Sequence, residues 1–324
     1  MTRSAVDFVP TTDPLLRHPS LPHSIVLDIM GIETCYETNS VYVRDLVEET
    51  FRPWARHGGS TARVHVRVVV HDGEEGVGVH PIVRYISTPD GRLILQSPGS
   101  VAIVDGSRRE SLAYVTTALA GDREHFRTAV LEAITFALLA CFDRHPVHAA
   151  AIARAGRVLL LAGPSGMGKS TIAYLAHTAG MSVLSDDRVW VQLEPHLRIW
   201  SGPATARLKP ASVSLFPELR SGSTPANEEK VVVPLTAANN QVGNAADQVV
   251  VCVLARGDRA ALDRTPESAL AAALMSQLAP GFDRFPDRVD RVIGAVTAGG
   301  GWRLTLTNDA RDALPFIRSM LETD

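Results

Sequence analysis

Residues 62–70 read Ala-Arg-Val-His-Val-Arg-Val-Val-Val, apolar and polar positions alternating until the run turns wholly apolar. A period of two over this length predicts a half-buried β-strand. Shorter runs rich in β-branched residues at 25–29, 82–86 and 92–96, with a further candidate at 99–105, repeat the signal. Turn pairs such as Asp72-Gly73 and Asp90-Gly91 separate them. At 109 the spacing changes. Apolar residues recur every three or four positions over 109–120 and 123–142, which predicts two helices, the second stopping near His145-Pro146. This half therefore reads as an antiparallel sheet packed by helices, after a loose lead-in over 1–23. Nothing in it has catalytic spacing.

From Val147 the grammar is different. A strand is expected at 147–153. A short apolar run at 157–162 follows, bounded by Gly156 and Gly163 and read as a buried strand, and then a helix at 171–177 that stops at Gly180. A strand at 181–185 precedes a hairpin, 189–193 with 197–200, built around Glu194-Pro195-His196. A loop-rich stretch, 201–244, is interrupted by a strand at 231–233. Strands at 249–254 and 302–307 and helices at 267–278 and 310–322 complete the chain. No internal repeat or low-complexity tract is present. The fold class expected is α/β, with a β-rich α+β domain over 1–140 and a second α/β domain over 141–324.

Composition narrows the function classes. The chain has 324 residues, 45% hydrophobic and 21% charged, ordinary values for a globular protein with a sizeable core. A net charge of −3 argues against a general nucleic-acid or membrane-surface binder. No apolar run approaches the roughly 18 residues needed to cross a bilayer. Residues 1–19 lack the apolar core of a signal peptide. Cys35, Cys141 and Cys252 are odd in number and far apart, which suits reduced thiols and a cytoplasmic location. Of the 32 basic residues only Lys169, Lys209 and Lys230 are lysines, and all three fall between 160 and 235. Lysine and arginine are not equivalent at a tight phosphate site, so an arginine-favouring chain that keeps lysine marks Lys209 and Lys230 as site candidates beside Lys169.

The chemistry concentrates at Gly163-Pro164-Ser165-Gly166-Met167-Gly168-Lys169-Ser170, a full G-x-x-x-x-G-K-[ST] phosphate-binding loop between a predicted strand and a predicted helix. That arrangement aims backbone N–H groups and a helix N-terminus at an anion. Gly163, Gly166 and Gly168 allow close approach, with Ser165, Met167 and Thr171 contributing from the loop and the first helical turn. Lys169 supplies a point charge to phosphate oxygens, and the Ser170 hydroxyl can ligate Mg²⁺. The expected ligands are ATP, or a related purine triphosphate, and Mg²⁺. Asp186 and Asp187 follow unusually soon, at the end of the predicted 181–185 strand, which is expected beside the loop strand. Ligands of open α/β sheets bind at such strand ends. There one carboxylate can accept the proton of an attacking hydroxyl while the other holds Mg²⁺ or its waters. Arg207, expected in a loop opposite the nucleotide, is read either as a surface residue or as a phosphate clamp. His145 and His148 form an H-x-x-H without an accompanying carboxylate motif and are not read as a zinc site.

His148, the loop, and Leu184-Ser185-Asp186-Asp187-Arg188-Val189 together resemble the catalytic core of HPr kinase/phosphorylase and its smaller relatives, among them lasso-peptide kinases. The resemblance covers roughly residues 145–200 and continues more weakly to about 320. It implies a P-loop kinase domain of the HPr kinase type. It also implies Mg²⁺ bound with the help of Ser170, proton acceptance from a substrate serine by Asp186, and support from His148 and Asp187. The bifunctional members carry a downstream Glu-x-Arg-Gly segment. Here Ala204-Thr205-Ala206-Arg207-Leu208-Lys209-Pro210 keeps basic residues without that glutamate. This departure points away from phosphorylase activity and from HPr as substrate, toward the divergent kinases. The family includes symmetric assemblies, which leaves a homo-oligomer open.

The leading expectation is a kinase that phosphorylates a hydroxyl, foremost a serine of a peptide or protein. The N-terminal domain is then expected to serve acceptor recognition. Two alternatives stay open: a kinase of a small metabolite such as a free amino acid or sugar, and a nucleotide-binding regulatory or assembly protein that phosphorylates no acceptor.

Overall fold

The structure is a computed structural model and describes residues 6–9, 19–55, 62–73, 82–201, 205–221, 224–227, 230–235, 244–245, 248–277 and 286–322. Most of the 1–23 lead-in, Leu278 and much of the 201–244 stretch lie outside the described residues. The chain divides into two compact units, Met1–Arg144 and His145–Asp324.

In the first unit β1 (His23–Ile29) and β2 (Ile32–Thr38) form a hairpin, and α1 (Val41–Phe51) follows, capped by the Ser40 hydroxyl. β3 (Arg63–His71), β4 (Arg84–Ser87), β5 (Leu93–Ser97), β6 (Ser100–Asp105) and β7 (Glu110–Thr116) complete a sheet of order β1-β2-β3-β7-β6-β5-β4 among the described residues. It is mixed and not antiparallel: β3 runs parallel to both β2 and β7. α2 (Thr117–Gly121), α3 (Arg123–Phe126), a π-helical turn at Arg127–Glu132 and α4 (Ala133–Ala140) follow. The 123–142 helix is thus present with a π-turn inside it, whereas 109–120 is mostly strand. Leu112, Val115 and Leu119 fall at helical spacing, which suggested the helix. Yet Ser111, Ala113 and Val115 alternate inward along β7, which is paired on both edges, to β3 and to β6. Central pairing decides the conformation there over local periodicity. Helices cover one face of the sheet, where Phe51 stacks on Tyr36 and meets Phe136 edge-on. The opposite face carries ionic pairs such as Arg67 with Glu37 and Glu110.

The second unit opens with β8 (His145–Val147) and β9 (Ala150–Arg154), two strands where one was expected over 147–153; they belong to different sheets. β10 (Arg157–Ala162), α5 (Lys169–Thr178), β11 (Ser182–Ser185), β12 (Val189–Gln192), β13 (Arg198–Trp200) and β14 (Thr205–Leu208) follow. Next come α6 (Pro210–Val213), β15 (Thr224–Asn227), β16 (Lys230–Pro234), β17 (Asn244–Ala245) and β18 (Gln248–Arg256). β19 (Ala261–Thr265), α7 (Glu267–Met275), α8 (Pro286–Thr297), β20 (Gly301–Leu306) and α9 (Leu314–Glu322) close the chain. Among the described residues the main sheet has the order β11-β9-β10-β18-β20-β19, with β10, β18 and β20 parallel.

Both faces of this sheet are covered, which explains why β10 is wholly apolar from Val158 to Ala162. Leu159 and Leu161 pack with Ile172, Leu175 and Ile317 from α5 and α9. Val158, Leu160 and Ala162 pack with Leu270, Leu274, Val292 and Ile293 from α7 and α8. Leu159, Leu160 and Leu161 are fully buried, and each contributes about 1.5–3 kcal/mol of hydrophobic stabilisation. Two smaller sheets, β17-β13-β12-β8 and β14-β16-β15, flank it. The chain is a mixed α/β protein with several sheets. Among the described residues no helix is long and apolar enough to cross a membrane.

Candidate functional site

The 163–170 loop joins the C-terminal end of β10 to the N-terminus of α5. Gly166 and Gly168 hold φ of 86° and 106°, a region that side chains rarely enter, so glycine at both positions sets the path of the loop. Gly168 is the N-cap of α5, with no side-chain cap and no acidic residue in the first turn. The free amides and the positive end of the helix dipole therefore face the loop uncompensated. Lys169 is 7% exposed. Its ammonium turns back to the Gly163 carbonyl at 2.5 Å and the Pro164 carbonyl at 3.4 Å. Burial lowers its pKa, with Lys230 pushing the same way and Asp187 and Asp186 opposing. Gly163 is buried and Ser165 is exposed on the loop.

The acidic pair stands at the same end of the sheet. β9 is antiparallel to both β10 and β11, so β11 runs parallel to the loop strand and delivers Asp186 and Asp187 beyond its C-terminal end. The expectation that β11 lies directly beside the loop strand is corrected: β9 stands between them. The Ser185 hydroxyl accepts from the Asp187 and Arg188 amides at 3.3 and 3.1 Å, which turns the chain there. Asp186 is 5% exposed. One of its oxygens accepts the Arg207 backbone N–H at 2.7 Å, and the Ser170 hydroxyl is near enough to favour the charged carboxylate. Burial raises the Asp186 pKa; the Arg207 and Ser170 contacts act against it, and the neighbouring Asp187 charge adds to it.

His148 reaches the pair through strand register. Val147 of β8 sits opposite Val189 of β12, which places the next residue, His148, beside the Asp187-Arg188 turn. Its Nε2 lies 3.3 Å from an Asp187 oxygen, and the Asp187 side chain is 46% exposed. Burial lowers the His148 pKa, Asp187 raises it, and Lys169, Arg188 and Lys230 lower it further. At neutral pH His148 thus meets Asp187 as a neutral imidazole.

The small β14-β16-β15 sheet brings the remaining candidates. Arg207 lies within β14 and not in a loop as expected. Its partner strand β16 begins at Lys230, and Arg207 pairs with Val232. The Arg207 side chain is exposed, and its charge acts on Asp186. Lys230 is near enough to act on both Lys169 and His148. Ser170, Lys169, Asp186, Asp187, His148, Arg207 and Lys230 therefore form one cluster around the loop. Two expected loop contributors have side chains engaged away from the loop, which leaves their backbone to face it. The Met167 side chain packs on the core beneath α5, and the Thr171 hydroxyl bonds Ser212 at 2.9 Å. Sequence reasoning missed Arg256, at the C-terminal end of β18. A methyl group on Gly168 would come within 3.6 Å of its Nη2, and its Nη1 donates to the Thr307 carbonyl at 2.9 Å. A charged residue ending the strand next to the loop strand was the available signal.

Hard oxygen donors, the Ser170 hydroxyl and the Asp186 and Asp187 carboxylates, are the set that suits Mg²⁺. Among the described residues no group of three or more His, Cys, Asp or Glu side chains is arranged to hold a metal ion. A cation here would thus depend on Ser170, water or a bound anion for its remaining ligands.

No family model matches the chain, and no curated protein matches it. Among solved structures, the HPr(Ser) kinase/phosphatase from Coxiella burnetii is similar over 55% of this chain and 87% of that chain, at 9% sequence identity and a TM-score of 0.31. The likeness is slight, and the reading of the site rests on its own residues.

Proposed function

We propose that the chain is an ATP- and Mg²⁺-dependent kinase that transfers a phosphoryl group to a hydroxyl, foremost a serine of a peptide or protein. The observation that carries this is the closeness of the Ser170 hydroxyl of the glycine loop to the Asp186 carboxylate, near enough to favour its charged form. It joins a phosphate-type loop to a carboxylate pair. The helix amides, Lys169 and the nearby Lys230 and Arg207 supply positive charge for the phosphates, which is most of what phosphoryl transfer requires of a protein. Ser170 and the carboxylates would hold Mg²⁺, whose charge neutralises phosphate oxygens when it is bound. As the acceptor oxygen bonds to phosphorus and the bond to the leaving diphosphate breaks, the acceptor proton passes to a carboxylate.

Asp186 is the first candidate for that proton, because burial raises its proton affinity. The exposure of Asp187 and its contact with His148 favour a second reading, in which Asp187 takes the proton. Label from the γ-phosphate of ATP, followed onto hydroxyl-bearing peptides, proteins and small metabolites, tests the proposal. Stable label on an acceptor is expected. Release of inorganic phosphate alone would refute acceptor phosphorylation and favour a regulatory nucleotide-binding protein.

A further inference from the structure

A second lysine stands over the loop. Lys209 follows β14 at the N-cap of α6, and its side chain is exposed. A methyl group on Gly166 would come within 3.3 Å of its Nζ. Lys169 and Lys209 therefore address the same loop differently: the buried ammonium bonds the carbonyls of Gly163 and Pro164, and the exposed one stands at Gly166. Among the described residues no carboxylate lies within ion-pair distance of Lys209, so its charge is uncommitted where an anion would seat.

Its position is also fixed from both sides. Two residues earlier the Arg207 amide is tied to Asp186 at 2.7 Å. The Lys209 carbonyl accepts from the Ser212 and Val213 amides at 2.8 and 3.1 Å. The backbone that carries this ammonium is thus anchored to the carboxylate pair on one side and to a helical turn on the other. All three lysines of the chain gather at one loop in a protein that otherwise uses arginine. A compact, rotatable ammonium suits close contact with phosphate oxygens.

We infer that Lys209 is a phosphate-contacting residue that sets a preference for nucleoside triphosphate over diphosphate. This rests on the nucleotide reading of the loop proposed above. With Lys169 and Lys209 both engaged, a longer polyphosphate chain meets more positive charge, and the loss of Lys209 falls hardest on the longest chain.

The test is calorimetric titration of Mg-ATP and Mg-ADP into the full chain, its Lys209→Gln and Lys209→Arg variants, and Lys169→Ala as a control. Lys209→Gln is expected to bind ATP about tenfold more weakly, the scale of one charged hydrogen bond, and ADP about threefold more weakly or less. Lys209→Arg should fall between, and melting temperatures should be unchanged because the side chain is exposed. Lys209→Gln binding both nucleotides like the unmodified chain, while Lys169→Ala loses them, overturns this inference alone. Equal losses for ATP and ADP overturn the preference. No binding by the unmodified chain overturns the loop reading together with it.

Discussion

Replacing Asp186 with Asn separates what this carboxylate does for chemistry from what it does to stability. The side chain is 5% exposed. Asparagine keeps an oxygen to accept the Arg207 N–H, so the backbone hydrogen bond remains filled. What disappears is the charge. Burial is the largest cause of the raised pKa, outweighing the Arg207 and Ser170 contacts that favour ionisation. Each pKa unit of elevation represents about 1.4 kcal/mol of preference for the neutral carboxyl in the folded state. Above the raised pKa the folded chain carries that cost, and the unfolded chain does not. The metal-free Asn variant should therefore melt higher than the unmodified protein at pH 8, by about 2–4 °C for each kcal/mol. The gap should close as pH falls through the raised pKa and the wild-type carboxyl takes up its proton. Phosphoryl transfer should meanwhile fall by about 10²–10⁴-fold, the usual scale for a lost general base, with ATP affinity kept. Scanning calorimetry across pH and a single-turnover transfer assay read the two effects. A melting temperature several degrees below wild type at pH 8 would refute the desolvation argument. Unchanged transfer would refute the base assignment and turn attention to Asp187.

Gly166→Ala should weaken ATP binding by about tenfold or more, since it forces a side chain to a φ of 86° and directs a methyl group at Lys209 Nζ; titration calorimetry reads the loss, and wild-type affinity would refute the loop geometry. His148 has a folded-state pKa below its ordinary 6.5. The unfolded chain therefore binds the proton first, and stability from this group is lost as pH falls through 6.5. His148→Gln should flatten that acid limb in thermal melts between pH 5 and 7 (roughly the window in which a histidine titrates), and an unchanged limb would contradict it.

The strand–loop–helix at 157–178 was legible because β10 is buried on both faces and the glycines have few other uses at that spacing. The carboxylate pair was legible for a similar reason: a short strand end after the loop helix leaves few places for two adjacent aspartates. Lysine scarcity singled out Lys209 and Lys230, and the fold brings both to the loop. β7 was not legible, because Leu112, Val115 and Leu119 mimic a helix face, and only pairing to β3 and β6 settles a strand. β2 hides its alternation, since Thr34 and Thr38 occupy inward positions that read as polar. The environment of Asp186 was equally hidden. Its main backbone partner is the amide of Arg207, and an amide carries no sequence signal. Only the placement of β14 reveals it.

The central claim is that the 163–170 loop binds a nucleoside triphosphate. Titration of Mg-ATP into the full chain and into Lys169→Ala measures it most directly. The account predicts saturable one-to-one binding by the unmodified protein and none measurable in the variant, because the buried ammonium is the charge nearest the loop carbonyls and lies at its centre. Equal binding by the two proteins, or none by the unmodified one, would contradict it.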